Sequence, residues 1–190
     1  KLAAVICVED PLREEAADAV RELKEAGITK VVMMTGDSER TAAAIAKRVG
    51  VDEYYSEVLP EDKASFVEKE KELGHKVIMI GDGINDSLAL SSASVGIAIS
   101  DGAAIAREIA DVTISADNLH EIVTLKRLST ALMKRIHNNY RTIIGINGGL
   151  IALGVTGIIM PTTSALLHNM STLTISLRSM RNLLPKEEEA

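Results

Sequence analysis

Apolar residues come in short bursts over the first two thirds of the chain, and stretches with helical spacing separate them. Leu2–Val8 is a continuous apolar run, as expected of a strand covered on both faces. An amphipathic helix follows from about Arg13 to Ala26, with Ala16, Ala19, Val20 and Leu23 on one face and Gly27 as its stop. Lys30–Met34 reads as the next strand. Asp37 or Ser38 then caps a helix that runs to Val49 and ends at Gly50. A strand near Tyr54–Val58 precedes a helix over Glu61–Leu73, and Val77–Ile80, Val95–Ile99 and Val112–Ile114 complete the strand candidates. Repeated strand–helix alternation predicts an α/β domain with a parallel sheet and flanking helices, whose ligands bind at the carboxyl ends of the strands.

From Asn118 onward the pattern is helical, and it turns apolar after Arg141. Residues 142–160 hold no charge, close to the length that spans a bilayer. Pro161 interrupts the run, and Thr163–Leu177 is a second uncharged stretch, more polar than the first. The pattern predicts an all-α transmembrane hairpin turning near Pro161; a buried helical hairpin is the plainer alternative. Glycines at 145, 148, 149 and 154 are expected to let helices approach closely.

Charge sharpens this division. Residues 1–121 carry 13 Lys/Arg against 24 Asp/Glu, residues 122–184 carry seven Lys/Arg and no acid, and the tail 185–190 carries one Lys and three Glu. An acidic first part argues against nucleic-acid binding. Basic residues Lys134, Arg135, Arg141, Arg178 and Arg181 at the ends of the hairpin place both ends in the cytoplasm by the positive-inside rule. The expected domains are therefore 1–121, 122–184 and 185–190. Cys7 is the sole cysteine, so no internal disulfide forms. No signal segment leads the chain, which starts on a strand and is expected to be a piece of a longer protein.

Three polar segments follow strands: Thr35-Gly36-Asp37, Lys63 within Pro60-Glu61-Asp62-Lys63, and Gly81-Asp82-Gly83-Ile84-Asn85-Asp86. In a parallel sheet they share one edge and can converge. Their chemistry suits a phosphoryl group and Mg2+. The Thr35 hydroxyl and the Gly36 N–H suit phosphate oxygens, and Lys63 brings a mobile positive charge. Asp82 and Asp86 are hard oxygen ligands, and Asn85 can donate without adding charge. Such a set would act by positioning and charge neutralisation. Taken singly, Thr-Gly-Asp also fits a strand-to-helix turn, and Lys63 a solvated lysine.

Together these segments resemble the signature set of P-type ATPases, and Asp10-Pro11-Leu12-Arg13-Glu14-Glu15 resembles the segment where that family's chain re-enters its phosphorylation domain. The match is close over residues 5–100, and the terminal hairpin resembles the last two helices of the heavy-metal-transporting branch. The resemblance implies a haloacid-dehalogenase-like fold, ATP and Mg2+ as cofactors, and ATP-driven transport of a transition-metal cation through an aspartyl-phosphate. Thr35 and Lys63 would contact the phosphoryl group and Asp82 would bind Mg2+. Asn85 and Asp86 would support that site, and Asp37 would lie near a hinge. The family's nucleophile belongs to an Asp-Lys-Thr-Gly-Thr motif that this chain lacks, so the chain alone is expected to be inactive. Its partners would be the remainder of the pump (actuator, nucleotide-binding and other membrane segments), the metal ion and the lipid bilayer of a multi-pass cell-membrane protein whose α/β part is cytoplasmic.

Within the hairpin, His168 and Thr172 share a helix face, and an imidazole with neighbouring oxygens suits a borderline divalent ion. His168 and Asn169 are the candidate contacts to the transported ion. Ser and Thr bonding to their own helix backbone is the plainer reading, favoured for Thr174 and Ser176. Two competing functions remain: a membrane-anchored phosphatase, which needs an Asp-x-Asp pair absent from the chain, and a non-catalytic Mg2+- or phosphate-binding module.

Overall fold

The computed structural model describes residues 12–82, 85–99, 108–114 and 118–184. The expected strand at Leu2–Val8, the segment from Asp10 to Pro11, Gly83, Ile84 and the acidic tail lie outside those residues. The chain divides into two units, residues 1–124 and 125–190.

In the first unit the order is α1 (Ala16–Glu25), β1 (Val32–Met34), α2 (Glu39–Val49), β2 (Glu53–Tyr55), α3 (Pro60–Glu72), β3 (Ile78–Gly81), α4 (Ser87–Ser92), β4 (Val95–Ile99) and β5 (Val112–Ile114). Helix α1 buries Ala16 and Ala19 and stops at Gly27, whose φ of 95° closes a terminal turn with Ile28 N–H bonded to Leu23 O. All strand pairs are parallel, with Met33 opposite Tyr54 in one pair and Ile80 opposite Ile97, Ile97 opposite Val112 in the other set. The pattern predicts one sheet, whereas the described strands form two, β1–β2 and β3–β4–β5. What joins them is packing: Ala64, Val67, Met79, Ala89 and Leu90 form the buried cluster, and Met34 of β1 packs against it. Burying a side chain such as Leu90 contributes roughly 1.5–3 kcal/mol.

Lateral bonds fix the β1 end. Asp52 accepts from Lys24 Nζ at 2.7 Å and from Val31 N–H at 2.8 Å. The Lys24 hydrogen bond, then the Val31 amide, hold the Asp52 carboxyl below its ordinary range. Glu39 accepts from Ser56 at 2.6 Å and Tyr54 at 2.8 Å, which lowers its own carboxyl in the same way.

Helix α5 (His120–Val155) opens with Asn118 Oδ1 accepting from His120 N–H and buries Ile122 and Val123 in the first unit. In the second unit α5 and α6 (Pro161–Ser179) are joined by a turn at 156–160, and Pro161 begins α6, where its missing N–H costs nothing. Gly157, at φ 72°, makes that turn, with Ile158 N–H on Leu153 O. Among the described residues no helix is long and apolar enough to cross a membrane. The uncharged run 142–160 is cut where α5 ends at Val155, so a membrane-length window inside α5 must reach back to Arg141 and Asn138. Helix α6 is diluted by His168, Asn169 and its hydroxyl residues. Among the described residues the glycines at 145, 148, 149 and 154 serve no close packing: a Cβ added at any of them meets nothing within 4 Å.

Candidate functional site

The three signature segments all follow strands or open helices. Thr35 follows β1, Lys63 lies in the first turn of α3, and Asp82 follows β3, with Asp86 immediately before α4. Thr35-Gly36-Asp37 is a hydrogen-bonded turn. The Thr35 hydroxyl donates to Asp37 Oδ2 at 2.9 Å and accepts from Asp37 N–H at 3.1 Å. This turn is tied to the loop before α3: Val58 N–H donates to Thr35 O at 3.0 Å and Glu57 N–H to Asp37 O at 2.9 Å.

That loop sets the start of α3, where Pro60 occupies the first position and Lys63 N–H bonds back to Leu59 O. From there Lys63 Nζ reaches Asp86 Oδ1 at 2.7 Å, with the two side chains only 15% and 12% exposed. A charge-assisted bond in this setting is stronger than one at the surface. Gly81 is what admits Asp86: a Cβ at position 81 would lie 2.5 Å from Asp86 Oδ2 and 2.8 Å from its Cβ. Asp82 and Asn85 are exposed beside this pair.

The structure therefore brings Lys63 to Asp86 and fastens Thr35-Gly36-Asp37 to the loop that launches α3. Sequence spacing gave no sign of the Lys63–Asp86 pair, since 23 residues separate its members and each has an independent reading as a phosphate or metal contact. The donor set fits Mg2+. Asp82 offers a hard carboxylate at a strand's carboxyl end, and Asp86 keeps Oδ2 beside the Gly81 backbone while Oδ1 takes Lys63. Magnesium takes one or two carboxylates and fills its shell with water and phosphate. Among the described residues no three His, Cys, Asp or Glu side chains cluster as a protein-only metal cage.

In the second unit His168 Nδ1 and Asn147 Oδ1 meet at 2.9 Å across α6 and α5. Asn147 is a polar residue inside the uncharged run 142–160, and no sequence spacing marks His168 as its partner. Thr172, expected to share a face with His168, turns its hydroxyl to the His168 carbonyl at 3.1 Å, and Ser171 does the same at 2.8 Å. Thr174 bonds the Met170 carbonyl, as the plainer reading expects. His168 and Asn169 are both exposed.

A family model described as haloacid dehalogenase-like hydrolase matches residues 1–94. A zinc-exporting P-type ATPase of Mycobacterium marinum is 36% identical over 95% of this chain and 25% of its own length. A copper-transporting ATPase of Rhizobium meliloti is 42% identical over 88% of the chain and 20% of its own. A crystal structure of a zinc-transporting PIB-type ATPase in its E2.Pi state superposes with a TM-score of 0.84 at 34% identity, over 93% of this chain and 29% of that one. The chain spans about a quarter of the length of the curated relatives it matches.

Proposed function

We infer, from a chain that belongs to the heavy-metal-transporting P-type ATPases, that the whole protein moves a transition-metal cation across a membrane, driven by ATP through an aspartyl-phosphate. The observation that carries this reading is the largely buried Lys63–Asp86 pair set beside the exposed Asp82 at the carboxyl end of β3. The nucleophilic aspartate belongs to a part of the protein outside this chain.

Within the chain, Asp82 would hold Mg2+, supported by Asp86 and Asn85. The ion, when bound, supplies charge neutralisation to phosphate oxygens. Lys63 adds a fixed positive charge whose partner in this structure is Asp86, so an incoming phosphoryl group presents it with a second anion. Thr35 and the Gly36 N–H would orient that group, and the bonds from Glu57 and Val58 keep their loop in register with α3. Asp37, bonded to Thr35 and Glu57, would pass the position of this loop toward the nucleotide-binding part. A phosphatase reading is not favoured, because the curated relatives are pumps and the chain has no Asp-x-Asp pair.

The second unit would form a membrane hairpin. Helix α6 buries none of its residues, large apolar side chains such as Ile151, Val155, Ile158 and Leu166 are exposed, and every charge lies toward the ends. His168 would contact the transported ion. With Asn147 Oδ1 as acceptor, Nδ1 carries the proton, and in the neutral ring Nε2 keeps the lone pair that ligates a metal. Asn169 is the second candidate contact. The test is ATP-dependent metal uptake by inside-out vesicles bearing the whole protein, assayed with zinc, manganese, copper and cobalt. Uptake of one or more, lost in Asp82→Asn, supports the reading; ATP-independent uptake, or none with any of the four, contradicts it.

A further inference from the structure

Residues 122–184 hold seven Lys/Arg and no Asp or Glu, and the acids of the second unit all fall in the tail at 187–189. Four of the seven, Lys134, Arg135, Arg178 and Arg181, line one cavity of about 440 Å³ formed by α5 and the end of α6. Arg135 builds its wall. Its guanidinium donates to Ser179 O at 2.9 Å, to Asn182 O at 2.9 Å and to Arg181 O, carbonyls that the end of α6 leaves without helical partners. Asn139 adds a bond to Ser179 Oγ at 2.7 Å. The donors of Arg135 are thus used within the fold, while Lys134, Arg178 and Arg181 are exposed at the cavity.

Cations gathered in one concavity repel each other unless an anion sits among them. Chloride would leave most of this volume empty. A phosphate ester fits better: its several oxygens match arginine forks, and its esterified group uses the remaining space. The position agrees. The lining residues on α5 precede its uncharged run, and those on α6 follow the uncharged stretch, so the cavity lies at the basic end of the helix pair, where headgroup recognition occurs. We propose that this cavity is a binding site for the phosphate-ester group of a phospholipid headgroup or of a soluble phosphomonoester. The lipid source rests on the membrane-hairpin reading above; the soluble source does not.

The test uses the full chain, purified in a neutral detergent and titrated separately with phosphatidylglycerol, phosphatidylcholine and glycerol 3-phosphate, with native mass spectrometry as readout. One equivalent of phosphatidylglycerol or of glycerol 3-phosphate should bind, phosphatidylcholine much less. Each basic residue near such a site contributes about fivefold, so Arg178→Gln/Arg181→Gln should weaken binding roughly 30-fold. Arg178→Lys/Arg181→Lys, which keeps the charge, should stay within about fivefold on the same scale. Lys126→Gln/Arg141→Gln removes the same charge outside the cavity and should change binding by less than about threefold. Phosphatidylglycerol binding that glycerol 3-phosphate cannot displace assigns the lipid source; equal binding of both assigns the soluble ester. Equal losses in the two glutamine variants, no binding of either ester, or binding seen only after residues 185–190 are removed overturns the proposal.

Discussion

Lys63 Nζ and Asp86 Oδ1 meet at 2.7 Å, joining the first turn of α3 to the start of α4 in a setting where both side chains are largely buried. Removing one member leaves the other charge buried without its partner, which is costlier than removing both. Lys63→Ala should therefore destabilise the domain by about 2–3 kcal/mol, and Lys63→Ala/Asp86→Ala should cost clearly less than the sum of the single changes. Urea unfolding of the four proteins measures this. Additive losses would show that the pair does not hold α3 to α4.

Gly81 tests the same contact from the backbone side. An added methyl at 81 meets the Asp86 carboxylate, which cannot swing away without breaking its bond to Lys63. Gly81→Ala should cost roughly 1–3 kcal/mol and impair phosphorylation of the whole protein together with stability. Gly96→Ala should be at least as destabilising, because its methyl meets backbone, the Leu90 carbonyl oxygen at 2.6 Å. It lies outside the site, so any well-folded fraction of that variant should phosphorylate normally. Melting curves and phosphorylation assays on both variants separate the two effects.

Acid stability should report on Asp52. The bonds from Lys24 and Val31 lower its carboxyl below the ordinary 3.8, so their contribution is full above that pH and is lost as pH falls through the depressed native value. Asp52→Asn should melt below the parent protein at pH 6, and the gap should close as the pH is taken below 3. Thermal melts across pH 2.5–7 check this, and a gap that persists unchanged at the acid end would contradict it.

Much of the first unit was legible because its signals are local. Gly27, Gly50 and Gly74 mark helix ends, β-rich apolar runs mark strands, and the observed β4 and β5 coincide with the runs at Val95–Ile99 and Val112–Ile114. Division into two sheets was not legible, because strand neighbours are chosen by packing around Met34 and Met79 rather than by any one strand's pattern. In the site, residue types at strand ends are what the phosphate reading rests on. The Lys63–Asp86 pairing did not announce itself, because contacts between side chains 23 residues apart leave no periodic trace. In the hairpin, composition suggested one unbroken first span, and the backbone instead ends α5 at Val155, where Gly157 closes the turn.

The His168–Asn147 bond makes a prediction about transport. If Asn147 fixes the tautomer that leaves Nε2 for the ion, Asn147→Ala and His168→Ala should both raise the metal concentration for half-maximal ATPase activity, by about tenfold or more. Phosphorylation from inorganic phosphate with Mg2+ but without the transported metal should be unchanged in both, because the Asp82 site is untouched. An ATPase titration across metal concentrations tests this. An unchanged titration in His168→Ala would leave that residue a packing and hydrogen-bonding role only.

Whether the end of β3 holds Mg2+ for phosphoryl transfer is decided by acyl-phosphate formation from labelled ATP in the whole protein carrying Asp82→Asn. Asparagine keeps the size of the side chain and removes the carboxylate charge, so the fold should survive while the hard ligand is lost. No phosphoenzyme should be detectable at Mg2+ concentrations that saturate the parent protein, with a melting temperature close to the parent's. Phosphoenzyme at the parent level, with the same Mg2+ dependence, would contradict it and remove Asp82 from the site.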